Sequence, residues 1–147
     1  MKIVGLAPFY NVESAHYPYL ESIISTMPLV DEMIVNDGGC LDNTIKNIKK
    51  LRDNVYPKIK IIESRHKKSQ MWRGLDDAIQ YCLDKIDADW IIEVQADEYF
   101  RPKDYGKLRK EIKKADKEGY NGIRQLRHHT TWEGIKGNYN YYIIRIF

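Results

Sequence analysis

Apolar and polar positions alternate between two rhythms along this chain. Short apolar runs at Lys2–Leu6, Glu32–Val35, Ile59–Ile62 and Trp90–Val94 read as strands, and the last, which lacks regular polar alternation, as one buried on both faces. Between them, apolar residues recur at helical spacing. Leu20, Ile23, Ile24 and Met27 mark one face of a first helix, opening at Ser14 or His16 with Pro18 in its first turn and stopped by Pro28. Ile45, Ile48 and Leu51 mark a second helix. Leu75, Ala78, Ile79 and Leu83 mark a third over Gln70–Asp84, and Leu108, Ile112 and Ala115 a fourth over Lys103–Lys117, with Gly119 placed to end it. Gly122–Leu126 and Tyr139–Phe147 read as further strands around a turn-rich stretch containing Trp132, Gly134 and Gly137. Strand and helix alternate four times, which predicts an α/β fold with a mostly parallel sheet and helices on both faces. Pro8 is expected to end the pairing of the first strand.

The 147 residues suffice for one domain, residues 1–147, that buries roughly two-thirds of its unfolded surface. The sequence stops inside the apolar run Tyr141–Phe147, which reads as a chain truncated at its carboxyl end; a terminal strand docked in the sheet is the alternative. Charged residues at 31% and hydrophobic residues at 43% describe an ordered protein. The net charge of +3, spread among mixed acids and bases, gives no argument for nucleic acid as a partner. Cys40 and Cys82 lie far apart with neither a disulfide framework nor zinc spacing, so a reducing cytoplasmic setting is expected. No signal peptide and no apolar run of about 20 residues is present, so membrane association would be peripheral, through a partner or another segment.

Candidate chemistry collects where strands end. Trp90–Val94 breaks into Gln95-Ala96-Asp97-Glu98, closed by Pro102; on an extended segment Gln95 and Asp97 point the same way and offer oxygens to one hard cation. An acidic, solvated loop is the plain alternative. The first strand runs into Ala7-Pro8-Phe9-Tyr10-Asn11. The second runs into Asn36-Asp37-Gly38-Gly39-Cys40-Leu41-Asp42-Asn43-Thr44, where Asp42 also suits a helix cap and Asp37 a turn. A basic segment, Arg65–Gly74, precedes the third helix. In open α/β sheets, ligands bind at the carboxyl ends of strands. A dinucleotide-binding oxidoreductase is a poor fit, because Ala7-Pro8-Phe9-Tyr10 stands where a Gly-x-Gly-x-x-Gly would follow the first strand.

Taken in this order, the three loops resemble the amino-terminal, nucleotide-binding half of family 2 glycosyltransferases. Pro8, Tyr10 and Asn11 look like that family's opening Pro-x-Tyr-Asn. Asn36 to Thr44 is similar to its Val-Asp-Asp-Gly-Ser-x-Asp-x-Thr, with Asn36 in place of the first acid. Gln95-Ala96-Asp97 resembles its Asp-x-Asp, with an amide in place of the first acid. The resemblance implies a GT-A-like, Rossmann-like domain that binds a nucleotide sugar, a UDP-sugar above all. Pro8, Tyr10, Asn11, Asp37 and Arg73 would then line the nucleotide pocket, and Asp97, Gln95 and Glu98 would surround a Mg²⁺ or Mn²⁺ ion. It further implies transfer of the sugar to an acceptor hydroxyl with inversion. The acceptor stays unknown and the catalytic residue unassigned, since Glu133 is the only acid after Asn121. His128 and His129 read as surface residues. The alternative is a domain of this fold that binds the nucleotide sugar without turnover.

Overall fold

The computed structural model describes residues 1–64, 74–126, 129–130, 136–137 and 142–147. At its centre lies β1 (Ile3–Phe9), buried at every position. It pairs in parallel with β2 (Glu32–Asp37) on one side and β4 (Trp90–Glu93) on the other, and β3 (Ile59–Glu63) continues the parallel set beyond β2. Past β4, β8 (Tyr142–Ile146) joins antiparallel and β5 (Ile123–Leu126) pairs antiparallel with β8, giving the order β3-β2-β1-β4-β8-β5. A short ladder joins β6 (His129–Thr130) to β7 (Lys136–Gly137). The parallel arrangement expected for the first four strands is therefore present, with β4 well inside the sheet.

Strand alternation decides which helix covers which face. Ala7, Phe9, Met33, Val35, Ile59 and Val94 pack with Tyr19 and Ile23 of α1 (Tyr19–Thr26) and Ile48 of α2 (Thr44–Asn54). On the same face, Ile3, Trp90 and Ile92 meet Ile112 and Ala115 of α4 (Tyr105–Glu118) and Ile146. The opposite face, with Val4, Leu6, Ile34 and Ile91, is covered by Cys82 of α3 (Leu75–Leu83). The chain moves outward from β1 through α1 and α2, then returns past β1 to β4 through α3. Right-handed crossovers in opposite directions put those helices on opposite faces.

Local signals account for most boundaries. Gly119 ends α4 in the left-handed region at φ 75°, and the N–H groups of Gly119 and Tyr120 bond back to Asp116 and Ala115, the pattern of a Schellman cap. Trp90 anchors α4 to the sheet by donating its indole N–H to Asp116 at 3.0 Å. Three expectations are corrected. Helix α1 opens after Pro18, at Tyr19, because residues 11–16 are held in turns with Asn11 and His16 at positive φ. Ile24 is 40% exposed; the buried stripe of α1 is Tyr19, Ser22, Ile23 and Thr26. Pro8 does not end the ladder either: it stands opposite Asn36, and Phe9 stands opposite Asp37. The carbonyls of Leu6 and Phe9 accept from Val94 and Gly38, so β1 alternates its bonding sides and the Pro8 nitrogen faces β4. Register with β4 stops at Leu6–Glu93, so no ladder bond is asked of that nitrogen.

Gly5 exposes a packing constraint in the sheet centre. A Cβ there would lie 2.7 Å from Cε and 2.8 Å from Sδ of Met33, its fully buried cross-strand neighbour. Gly5→Ala should destabilise the protein by about 1 kcal/mol, the low end for overpacking because a thioether end can shift. The double variant Gly5→Ala/Met33→Val should cost less than the sum of the two single changes in denaturant midpoints. Additive losses would show that Met33 does not fill this space.

Candidate functional site

Four parallel strands bring their carboxyl ends to one edge, and the strand order reverses between β1 and β4. That reversal is where an open α/β sheet leaves a crevice. The β1–β2 side of the edge is tightly built. Because Phe9 is level with Asp37, and the Gly38 N–H donates to the Phe9 carbonyl at 2.9 Å, the two following loops leave the sheet side by side. Pro8 is buried, Tyr10 is 40% exposed at the rim, and Asn11 holds a left-handed φ of 50°.

Asp37 is buried and does turn work. Its Oδ1 accepts the N–H groups of Gly39 at 2.9 Å and Cys40 at 2.7 Å. Asn36, one residue earlier, faces the other side of the sheet and donates from Nδ2 to the Ala78 carbonyl of α3 at 3.1 Å. It is fully buried, and its Oδ1 has no hydrogen-bond partner among the described residues. The position where the resemblance has an acid thus belongs to the α3 packing face. A carboxylate there would set oxygen against oxygen.

Side chains of residues 40–44 then hold the loop after β1. Leu41 N–H donates to Asn11 Oδ1 at 2.7 Å, and Asn11 N–H donates to Cys40 Sγ at 3.3 Å. Glu13 N–H donates to Thr44 Oγ1 at 3.1 Å, and Ser14 N–H to Asp42 Oδ2 at 2.8 Å. Asp42 Oδ1 also accepts from the Thr44 N–H at 3.0 Å, a turn contact one residue before Asn43, which holds the cap position of α2, so Asp42 is not the helix cap expected of it. Burial raises the Asp42 pKa, but hydrogen bonds from the Thr44 hydroxyl and from the Ser14 and Thr44 N–H groups outweigh it and hold the carboxyl below its ordinary value. Tyr19 donates to Glu13 Oε2 at 2.6 Å and accepts from Asn47 Nδ2 at 3.0 Å; burial, then the Glu13 carboxylate, raise its pKa. Burial pushes Cys40 up to about 12 and Cys82 up to about 11, so both free thiols stay protonated and neither is poised as a nucleophile.

At the β4 end the expected extended segment is absent. Strand β4 stops at Glu93, and Gln95–Glu98 forms a turn in which the Glu98 N–H donates to the Gln95 carbonyl at 3.1 Å. The Glu98 carboxylate folds back to accept the Gln95 N–H at 3.0 Å. The same-side argument for Gln95 and Asp97 therefore fails, because it needs strand geometry. Asp97 is left exposed on the turn. Two serines of α1, overlooked in the sequence, secure this loop: Ser22 Oγ donates to the Gln95 carbonyl at 2.7 Å, and Ser25 Oγ accepts from Phe100 N–H at 3.1 Å. Polar residues on the inward side of an apolar helix were the available signal. Among the described residues no group of three His, Cys, Asp or Glu side chains could hold a metal ion. The local donors are one exposed carboxylate and one amide, a set that suits an ion arriving with its own anionic ligands. Arg73 and the side chains of His128, His129 and Glu133 lie outside the described residues.

The glycosyl transferase family 2 model matches residues 6–145. The chain belongs to that family. No curated protein matches it by sequence. Among solved structures of similar fold are S. aureus TarS, at a TM-score of 0.60 and 17% identity over 86% of this chain and 21% of TarS, and TarS 1-349 in complex with UDP-GlcNAc, at 0.59 and 19% over 86% and 33%. A third is the mannosyltransferase PcManGT from Pyrobaculum calidifontis, in complex with GDP-Man and Mn²⁺, at 0.61 and 17% over 78% of this chain and 32% of that one. The family 2 chain thus spans a third or less of the length of these proteins, and the likeness establishes the GT-A glycosyltransferase fold.

Two outcomes check this architecture. The lowered Asp42 pKa means its contribution is full above the unfolded value of about 3.9 and disappears as pH falls through the lower folded value. Asp42→Ala should therefore cost about 1 kcal/mol at pH 7, as lost hydrogen bonds do, and less as pH falls through the lowered folded value; a difference that does not shrink on acidification would contradict the assignment. Asn36→Asp should destabilise by about 1–3 kcal/mol at pH 7. That loss should shrink as pH falls toward about 3.9, where a protonated acid can donate to Ala78. Equal stability at pH 7 would remove the hydrogen bond from the account.

Proposed function

We propose that this family 2 chain binds a nucleotide-diphosphate sugar, a UDP-sugar in particular, at the carboxyl edge between β1, β2 and β4, for inverting transfer to an acceptor hydroxyl. The observation that carries the reading is the pairing of Phe9 with Asp37, which sets Tyr10, Asn11 and Asp37 beside one another at the edge. In this reading Tyr10 and the adjoining backbone of Pro8 and Asn11 line the base pocket, and Asp37 accepts hydrogen bonds from the base or ribose while its Oδ1 keeps the turn in place. Arg73 is assigned to the diphosphate by charge. The TarS and PcManGT complexes, with UDP-GlcNAc and with GDP-Man and Mn²⁺, support the ligand class.

Asp97 would hold a Mg²⁺ or Mn²⁺ ion arriving with the diphosphate, with Gln95 and Glu98 contributing at its margin. When bound, such an ion neutralises charge on the departing nucleotide diphosphate. The Glu98 carboxylate, already accepting from Gln95, orients the turn that carries Asp97. A fold that binds the nucleotide sugar without turnover is the second reading. It is favoured by the sparse donor set around Asp97 among the described residues, and binding without transfer would be its signature.

Thermal shifts with UDP-, GDP- and dTDP-sugars, each with and without Mn²⁺, should give the largest rise for a UDP-sugar with the ion. Asp37→Asn retains an acceptor for the turn and should weaken UDP by roughly tenfold or more, as expected for a lost charged hydrogen bond. Asp97→Ala should remove the Mn²⁺-dependent part of binding. No shift with any nucleotide sugar, or full metal dependence in Asp97→Ala, would overturn the corresponding assignment.

A further inference from the structure

The geometry points to Asp42, Cys40 and Thr44 as positioning residues that lock the loop after β1 to the loop after β2, making Tyr10, Asn11 and Asp37 one preorganised nucleotide-facing unit. The inference rests on the nucleotide site proposed above. The loop between β1 and α1 carries exposed residues at 14–18 and two non-glycine residues at positive φ, Asn11 at 50° and His16 at 58°. A left-handed conformation costs such residues about 1–2 kcal/mol, and ordering each loop residue costs a similar amount of conformational entropy. Opposing that cost are four hydrogen bonds between residues 28 to 31 apart in sequence, at Asn11 N–H, Asn11 Oδ1, Glu13 N–H and Ser14 N–H.

One of these ties ends on Cys40 and a second on its neighbour Leu41. The Cys40 N–H is held by Asp37 Oδ1 at 2.7 Å, its Sγ accepts from Asn11 and lies 3.7 Å from the Phe9 carbonyl, and the next N–H, of Leu41, donates to Asn11. Thr44 and Asp42 hold Glu13 and Ser14, two and three residues beyond Asn11, while Cys40 and Leu41 hold Asn11 itself and Cys40 also bonds Asp37. Asp42 divides its two jobs between its oxygens, Oδ1 serving the start of α2 and Oδ2 the Ser14 N–H. Preorganisation of this kind raises affinity by removing the ordering cost that binding would otherwise carry.

The test compares Thr44→Val, which removes the acceptor for Glu13 at nearly constant volume, with Thr44→Ser, which keeps it, and adds Asp42→Asn, which loses one of two acceptors. Amide hydrogen exchange at Glu13, Ser14 and Leu41, UDP affinity by calorimetry and the global unfolding midpoint are measured on each. Thr44→Val and Asp42→Asn should speed exchange at these amides and weaken UDP by about tenfold, roughly what one hydrogen bond is worth, while Thr44→Ser retains both. Unchanged exchange in Thr44→Val overturns the lock. Faster exchange with wild-type UDP affinity overturns the positioning role and leaves the ties purely structural. If the wild type binds no nucleoside diphosphate, the functional reading fails, and the exchange arm still decides whether the loops are locked.

Discussion

Pairing of β1 on both sides along Val4–Leu6, and toward β2 alone beyond it, is the constraint on which the candidate edge depends. Over the first stretch β1 is the middle of a parallel sheet and packs Val4 and Leu6 against the α3 face. From Pro8 onward it keeps β2 and loses β4, so the sheet opens where strand order reverses. Proline suits that point, since a residue without an N–H can occupy only a place where the ladder asks for none. The crevice expected at a topological switch is thus written into a local hydrogen-bond count.

The two walls of this crevice are held differently. On the β2 side, Asp37, Cys40, Asp42 and Thr44 tie two loops by backbone N–H groups donating to side chains, with two acids, a thiol and a hydroxyl as acceptors. On the β4 side, a single turn is held by Glu98 from within and by Ser22 and Ser25 from α1. Helix α1 therefore links both walls: Tyr19 reaches Glu13 on one and Ser22 reaches Gln95 on the other. Its polar residues are buried because they are bonded, which is the condition for polar groups to sit among apolar neighbours.

The exposed Asp97 contrasts with the buried, engaged Asp37. A carboxylate whose oxygen already accepts two N–H bonds is held in one orientation, as recognition of a base or ribose requires. One left in solvent on a turn keeps the freedom to meet a cation brought by an anionic ligand. The two acids come from equivalent strand ends, and their surroundings differ in the way the two proposed roles would require.

Much of the architecture was legible in the sequence, because strand and helix periods are local properties: the four apolar runs form β1 to β4, and the four amphipathic stretches contain α1 to α4, with α1 starting later than expected. The family resemblance, carried by motif order, agrees with the family match over residues 6–145. Only the tertiary structure decided which neighbour each residue faces. Asn36 and Asp37 are adjacent in a motif, yet strand alternation sends one to α3 and the other to the edge. Gln95 and Asp97 share a spacing that means one thing in a strand and another in a turn, and the hydrogen bond from Glu98 chose the turn. Insertion of β8 between β4 and β5, and the ties from residues 40–44 to residues 11–14, join segments far apart in the chain. Such pairings depend on crossover handedness and register, which no local pattern encodes.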